Sequence, residues 1–167
     1  MVSISVKIER KGDLAKRLKQ IQSALKGPKK VKVGFPAGKS PGDVIAYAFY
    51  NHEGTNRAKG DVFFKNGKIG FSGPIPPRPF ITVAMFKGRG AIKGALRAEF
   101  KAILAGKADL KASLTRVGML GQDLIQMQIG SNMGPANSPM TIELKGSSRT
   151  LIDSGRMLGS VTWDYDK

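Results

Sequence analysis

Four prolines fall within seven residues at Gly73-Pro-Ile-Pro-Pro-Arg-Pro79, and neither a regular helix nor a central strand can pass through them. Each proline lacks a backbone donor, fixes its own φ and pushes the preceding residue out of helical space. The chain is thereby cut into two parts joined by a stiff, extended lead. From Phe80 the residues Phe80, Ala84, Ile92, Leu96, Phe100 and Ile103 or Leu104 recur at helical spacing, to about Lys107. Gly88, Gly90 and Gly94 predict a break or kink near residue 90, because an interior glycine costs about 1 kcal/mol relative to alanine. After Ala105-Gly106, Asp109 is placed to cap a second helix whose Leu110, Leu114, Val117, Leu124 and Ile125 share a face. Two long antiparallel helices are expected.

Ahead of the prolines the elements are shorter and of mixed type. Val2, Ile4, Val6 and Ile8 alternate with polar residues, which predicts a strand with one buried face. Asp13 then precedes a helical stripe of Leu14, Leu18, Ile21 and Leu25 that Gly27-Pro28 ends. Val31, Val33 and Phe35 predict a second strand, Pro36 to Pro41 a loop, and Asp43 to His52 a short helix stopped by Gly54. Asn66-Gly67 lies between two β-prone arms, which predicts a hairpin over residues 61–71 that projects from the body.

Beyond the long helices, residues 130–139 are turn-rich and nearly uncharged, and read as a mobile loop or one ordered by a partner. Thr141 to Leu144 fits a brief strand or the start of a short helix, and Leu151 to Leu158 one or two helical turns interrupted at Gly155. Val161, Trp163 and Tyr165 share one face of a closing strand. Residues 1–167 therefore read as a single α+β domain: a mostly antiparallel sheet of short strands packed against two long helices, with a projecting β-hairpin.

Composition narrows the chemistry. With 167 residues and a 41% hydrophobic fraction the chain is long enough for one real core. It has no cysteine, so disulfides, thiolate metal sites and cysteine nucleophiles are excluded. No apolar run approaches the roughly 18 residues a membrane span needs, and the alternating N-terminus lacks a signal peptide's apolar block, so a soluble, cytoplasmically made protein is expected. Lys and Arg number 28 against 12 Asp and Glu, a net charge of +16. Residues 1–40 and 87–116 carry nearly the whole excess. Such a charge attracts any polyanion without choosing among them.

No catalytic constellation stands out. His52 is the only histidine, no Gly-x-Ser-x-Gly elbow surrounds a serine, and His52 reads as a residue at a helix C-terminus where imidazole suits the dipole. The glycines from Gly88 to Gly94 do not fit a dinucleotide fingerprint and follow a helix rather than a strand. Asp164 and Asp166 would share one strand face, but without a His or Cys cluster they read as its solvated side. Neither a metal nor a cofactor is expected. Aromatic residues make up only 7%, and no nucleic-acid recognition module is present, so a basic DNA-binding accessory protein is the alternative reading.

Several segments, taken in order, form a pattern: Val31-Lys-Val-Gly-Phe-Pro36, Ala46-Tyr47-Ala48 leading to Asn51-His-Glu-Gly-Thr55, Ile75-Pro-Pro-Arg-Pro-Phe80, a long helix pair, Thr141-Ile-Glu-Leu-Lys-Gly146 and Leu151-Ile-Asp-Ser-Gly155. This pattern resembles the neck and tail-completion proteins of long-tailed bacteriophages over roughly residues 30–165. The hairpin looks like an insertion relative to that pattern, and the position within the neck stays open. The resemblance implies a structural virion protein at the head-tail junction, made in the host cytoplasm, which assembles as a homo-oligomeric ring without catalysis. Its implied partners are other neck and tail proteins (terminator, tail tube, head connector), with non-specific contact to phage DNA and none to a membrane. Phe63, Phe64 and Asn66 of the hairpin, Asn132 and Met133 of the loop, and exposed Glu53 and Arg78 are the expected partner contacts, with Arg78 held outward.

Overall fold

A computed structural model describes residues 13–56 and 74–166 and the backbone of residues 60–63 and 69–72. The expected strand at Val2–Ile8, and Phe64 and Asn66 of the hairpin, lie outside the described residues. The order of elements is α1 (Leu14–Ala24), β1 (Val31–Gly34), α2 (Gly42–Glu53), β2 (Gly60–Phe63), β3 (Ile69–Ser72), α3 (Phe80–Leu104), α4 (Leu110–Gly130), α5 (Pro139–Lys145), α6 (Arg156–Gly159) and β4 (Thr162–Tyr165).

Helix predominates, and this overturns the expected mostly antiparallel sheet. The described strands form two separate two-stranded antiparallel ladders, β1 with β4 and β2 with β3. Alternating residues announce that a strand has one buried face, but they do not say what covers it. Here helices do the covering. Val33 pairs with Trp163 and Val31 with Tyr165, and α4 lies directly on that face: a Cβ on Gly118 would fall 2.8 Å from Trp163 Cγ, and one on Gly121 3.0 Å from Val33 Cγ2. The side chain of Thr115 bonds the Tyr165 hydroxyl at 2.6 Å along the same contact.

The long hairpin of helices is present, and its pairing is antiparallel. Glu99 meets Arg116, Gly88 faces Leu124, and Lys87 Nζ donates to Gln128 Oε1 at 3.1 Å, so positions rising along α3 meet positions falling along α4. Asp109 caps α4 by accepting from Ala112 N at 2.7 Å. The expected break near residue 90 is absent, since α3 runs unbroken from Phe80 to Leu104. Gly88 is buried and a Cβ there would collide with the side chain of Leu124. It is thus a packing glycine, and the helix tolerates it because Leu124 fills the space.

The core gathers Val44 and Ala48 of α2, Phe80 and Ala84 of α3, and Ile125 and Ile129 of α4, closed by Leu151, Met157 and Val161. Phe35 sets its ring edge against Phe80 at 6.2 Å between centroids. The segment read as a brief strand or helix start is a helix, α5, capped by Ser138, whose hydroxyl accepts from Thr141 N. The helix at α1 also forms as expected, yet none of its residues is buried. No described helix is long and apolar enough to cross a membrane.

Candidate functional site

Where α2 ends, Gly54 takes φ +79°, and a Cβ there would stand 2.8 Å from Ile75 O and 2.9 Å from Pro77 N. Only glycine fits, both for the left-handed backbone and for the close approach. The chain that follows is clasped to the proline-rich lead. Thr55 N donates to Ile75 O at 2.9 Å, and Thr55 Oγ1 accepts from Ile75 N at 3.0 Å. Arg78 N donates to Asn51 O at 2.8 Å, while Asn51 Nδ2 reaches back to Tyr47 O within α2.

Arg78 is the centre of this arrangement. It is 4% exposed, which overturns the expectation that it is held outward for a partner. Its Nε donates to Pro135 O at 2.8 Å, and its Nη2 to Ala136 O at 3.4 Å and Asn137 Oδ1 at 3.3 Å. Burial lowers its pKa from the ordinary value, but an arginine stays protonated, so the guanidinium is a buried cation solvated by oxygens of the 130–139 loop. The loop is held from its other side as well. Thr150 N donates to Asn132 Oδ1 at 2.8 Å, Thr150 Oγ1 to Met133 O at 2.9 Å, and Asn137 Nδ2 to Arg149 O at 2.9 Å. Asn132 adopts φ 52°, a conformation asparagine tolerates better than most residues.

Between these segments runs a groove of about 1770 Å³ whose lining includes Tyr47, Tyr50, Ile75, Pro76, Met140 and Arg156. Arg156 is steadied by Asp43 at 2.8 Å. The groove is lined by α2, the proline lead, α5 and the 150–157 segment, so it brings together four stretches that share the resemblance described above.

The remaining candidates divide. Glu53 is exposed at the end of α2, with its carboxylate 3.7 Å from His52 Nε2. Phe63 belongs to β2, where its backbone pairs with Ile69. Asn132 has its side-chain oxygen turned back to Thr150, and Met133 is half-buried against the core. Thr150 and Asn137 were missed by sequence reasoning, which read Gly54 as the stop of α2 but not as the point where the proline lead is clasped.

His52 does not build a hydrolytic triad. Thr82 Oγ1 lies 3.3 Å from Nε2, and Glu53 approaches that same nitrogen, whereas a relay needs nucleophile and carboxylate on opposite ring nitrogens. Nδ1 is buried with no hydrogen-bond partner among the described residues, and the ring packs on Phe80 at 5.2 Å. Asp164 and Asp166 are occupied by lysines: Lys39 at 2.9 Å from Asp164, and Lys32 at 2.5 Å and Lys30 at 3.9 Å from Asp166. The hydrogen bond from Lys32 holds the Asp166 carboxyl below the usual aspartate range. Among the described residues no three His, Cys, Asp or Glu side chains gather as a metal site. The chain matches no family model, no curated protein and no solved structure.

Proposed function

We propose that this chain is a structural protein of a bacteriophage neck, acting in tail completion or head-tail joining as a ring of identical copies and without catalysis. One observation carries the reading. The segments 51–55, 75–80 and 151–155, among those on which the resemblance rests, are separate in sequence but line one groove, with Arg78 of the second bonded to Asn51 of the first. An ordered set of weak motifs gains weight when the motifs share a physical task, here the bracing of a loop and a groove rather than the activation of a reactant. Other neck and tail proteins are the partners of this reading. The hairpin β2–β3 is carried between Thr55 and Ile75, which are bonded to each other, so an arm can leave the body without disturbing its root. Such an arm can extend the sheet of a neighbour.

Loss of the chain during particle assembly tests the proposal. Filled heads and finished tails that fail to join, with joining restored when the chain is supplied, are the expected result. Joined, infectious particles made without it would reject the reading. The net charge of +16 favours one rival, a DNA-binding accessory protein. That rival predicts an affinity for duplex DNA falling log-linearly with salt and no requirement for the chain in joining.

A further inference from the structure

Two helix faces left open by the fold are complementary. On the outer side of α3, Phe86, Leu96, Phe100 and Leu104 are all exposed, Phe86 at 65% and Phe100 at 58%; at the far end Leu104 also borders α1, where it lines a hollow with Leu14, Leu18 and Ile21. Arg89, Lys93 and Arg97 are exposed among them at spacings of three and four, hence on the same face. The stripe from residue 86 to 104 extends about 27 Å at 1.5 Å per residue. Arg89 already stacks over the Phe86 ring at 4.7 Å. The single carboxylate of α3, Glu99, is turned the other way and held by Ser113 and Arg116 of α4. Gly90 and Gly94 lie along the edge of this face, and a Cβ added to either would meet nothing within 4 Å. Unlike Gly88, they serve no packing need among the described residues.

The second face belongs to α2. Ala46, Phe49, Tyr50 and Glu53 recur at spacings of three, four and seven and are all exposed, with Phe49 at 61%. Phe49 and Tyr50 meet edge to face at 6.1 Å between centroids. In a chain of net charge +16, residues 40–56 contain no Lys or Arg, and carry Asp43 and Glu53. One face is thus apolar and cationic; the other is apolar and carries the exposed Glu53, Asp43 being paired with Arg156.

We propose that the α2 face of one copy seats on the α3 face of a second copy, with Phe49 and Tyr50 over the Gly90–Gly94 edge and Glu53 among Arg89, Lys93 and Arg97. This deepens the ring reading above and rests on it. The two surfaces differ, so the contact is heterologous and propagates around a ring. An α3-to-α3 contact between copies would set cation against cation. Duplex DNA would answer the cations but leave Leu96, Phe100 and Leu104 facing phosphates.

Because the chain has no cysteine, site-directed cross-linking reads this contact without background. A chain carrying both Ala46→Cys and Lys101→Cys, the latter at an exposed α3 position two turns beyond Gly94 that leaves the glycine edge intact, treated with a flexible bis-maleimide, is expected to give a ladder of covalent multimers. The two single variants mixed should stop at covalent dimers, and each single variant alone should stay monomeric. Monomers only from the double variant, or equal cross-linking of a single variant alone, would overturn the proposal. Sedimentation of Glu53→Lys and Lys93→Glu supplies the second measurement: each alone weakens self-association at least several-fold, and the pair restores it. A pair no better than either single variant overturns the assigned contact. Failure here with joining still dependent on the chain rejects this interface alone, whereas particles that join without the chain reject the neck reading itself.

Discussion

At the scale of single residues, Gly54 and Arg78 make the sharpest demands. Replacing Gly54 with alanine forces a Cβ against Ile75 O and Pro77 N, both backbone-bound and unable to swing aside. Left-handed strain alone costs about 1–3 kcal/mol, and the collision adds to it. Chemical denaturation of Gly54→Ala should show a loss of at least that size. A loss under half a kcal/mol would mean the α2 end and the proline lead are not clasped as described. For Arg78→Met the volume is nearly kept, but Pro135 O and Ala136 O lose a cationic donor. Hydrogen bonds to charged groups are worth about 1.5–3 kcal/mol, so a drop of about 2 kcal/mol is expected, with proteolysis first appearing in the 130–139 loop.

Glu99 gives the pH dependence at this same scale. The hydrogen bond from Arg116 holds its carboxyl below the usual glutamate range, against burial that pushes the other way, with Ser113 adding a second donor. A carboxylate depressed in the folded state stabilises fully above its ordinary value, near 4.3, and that stabilisation is lost as the pH falls through the lower folded value. Glu99→Gln should therefore reduce stability at neutral pH and show a shallower decline between about pH 4.5 and 2. An acid limb superimposable on that of the parent chain would contradict the pairing. Residue roles were the least legible part of the sequence. Arg78 reads as a solvated cation between prolines because its acceptors lie 57 to 59 positions away, a distance at which no local pattern carries information.

At the scale of elements, legibility follows how local the determinants are. The ends of α1, α2 and α4 could be placed because their signals sit within a few residues: Gly54 after α2, Asp109 before α4, and Gly27-Pro28 just beyond α1. The unbroken run of α3 could not, because three glycines of one residue type have two different causes. Gly88 makes room for Leu124, while Gly90 and Gly94 border open space. That difference yields a prediction of opposite signs. Gly90→Ala with Gly94→Ala should raise monomer stability by about 0.5–1 kcal/mol per site, the interior-helix difference between the two residues. The same double variant should weaken self-association, since each added methyl stands where Phe49 or Tyr50 of the next copy would rest. Thermal melts of dilute protein and sedimentation of concentrated protein separate the two effects. Stabilisation with unchanged association would show that the glycines border no interface.

At the scale of the whole molecule, the sheet was overestimated because alternation in β1 and β4 is equally satisfied by a helix lying across them, and α4 supplies that helix through Gly118 and Gly121. Charge, by contrast, is a property the sequence states in full, and it predicts how the fold answers to salt. Added chloride screens two opposed effects. The ion pairs Lys32–Asp166, Lys39–Asp164 and Arg156–Asp43 are all at least partly exposed, and exposed pairs contribute only about 0–1 kcal/mol each. Against them stands the mutual repulsion of a +16 chain, which favours any expanded state. The Debye length falls from about 10 Å at 0.1 M to about 3 Å at 1 M; that removes most of the repulsion between segments 1–40 and 87–116, while contacts under 3 Å survive better. The midpoint of thermal unfolding should therefore rise with chloride concentration by several degrees over that range. A midpoint that falls would mean that the few ion pairs outweigh the excess charge, and that the basic segments are already neutralised within the fold.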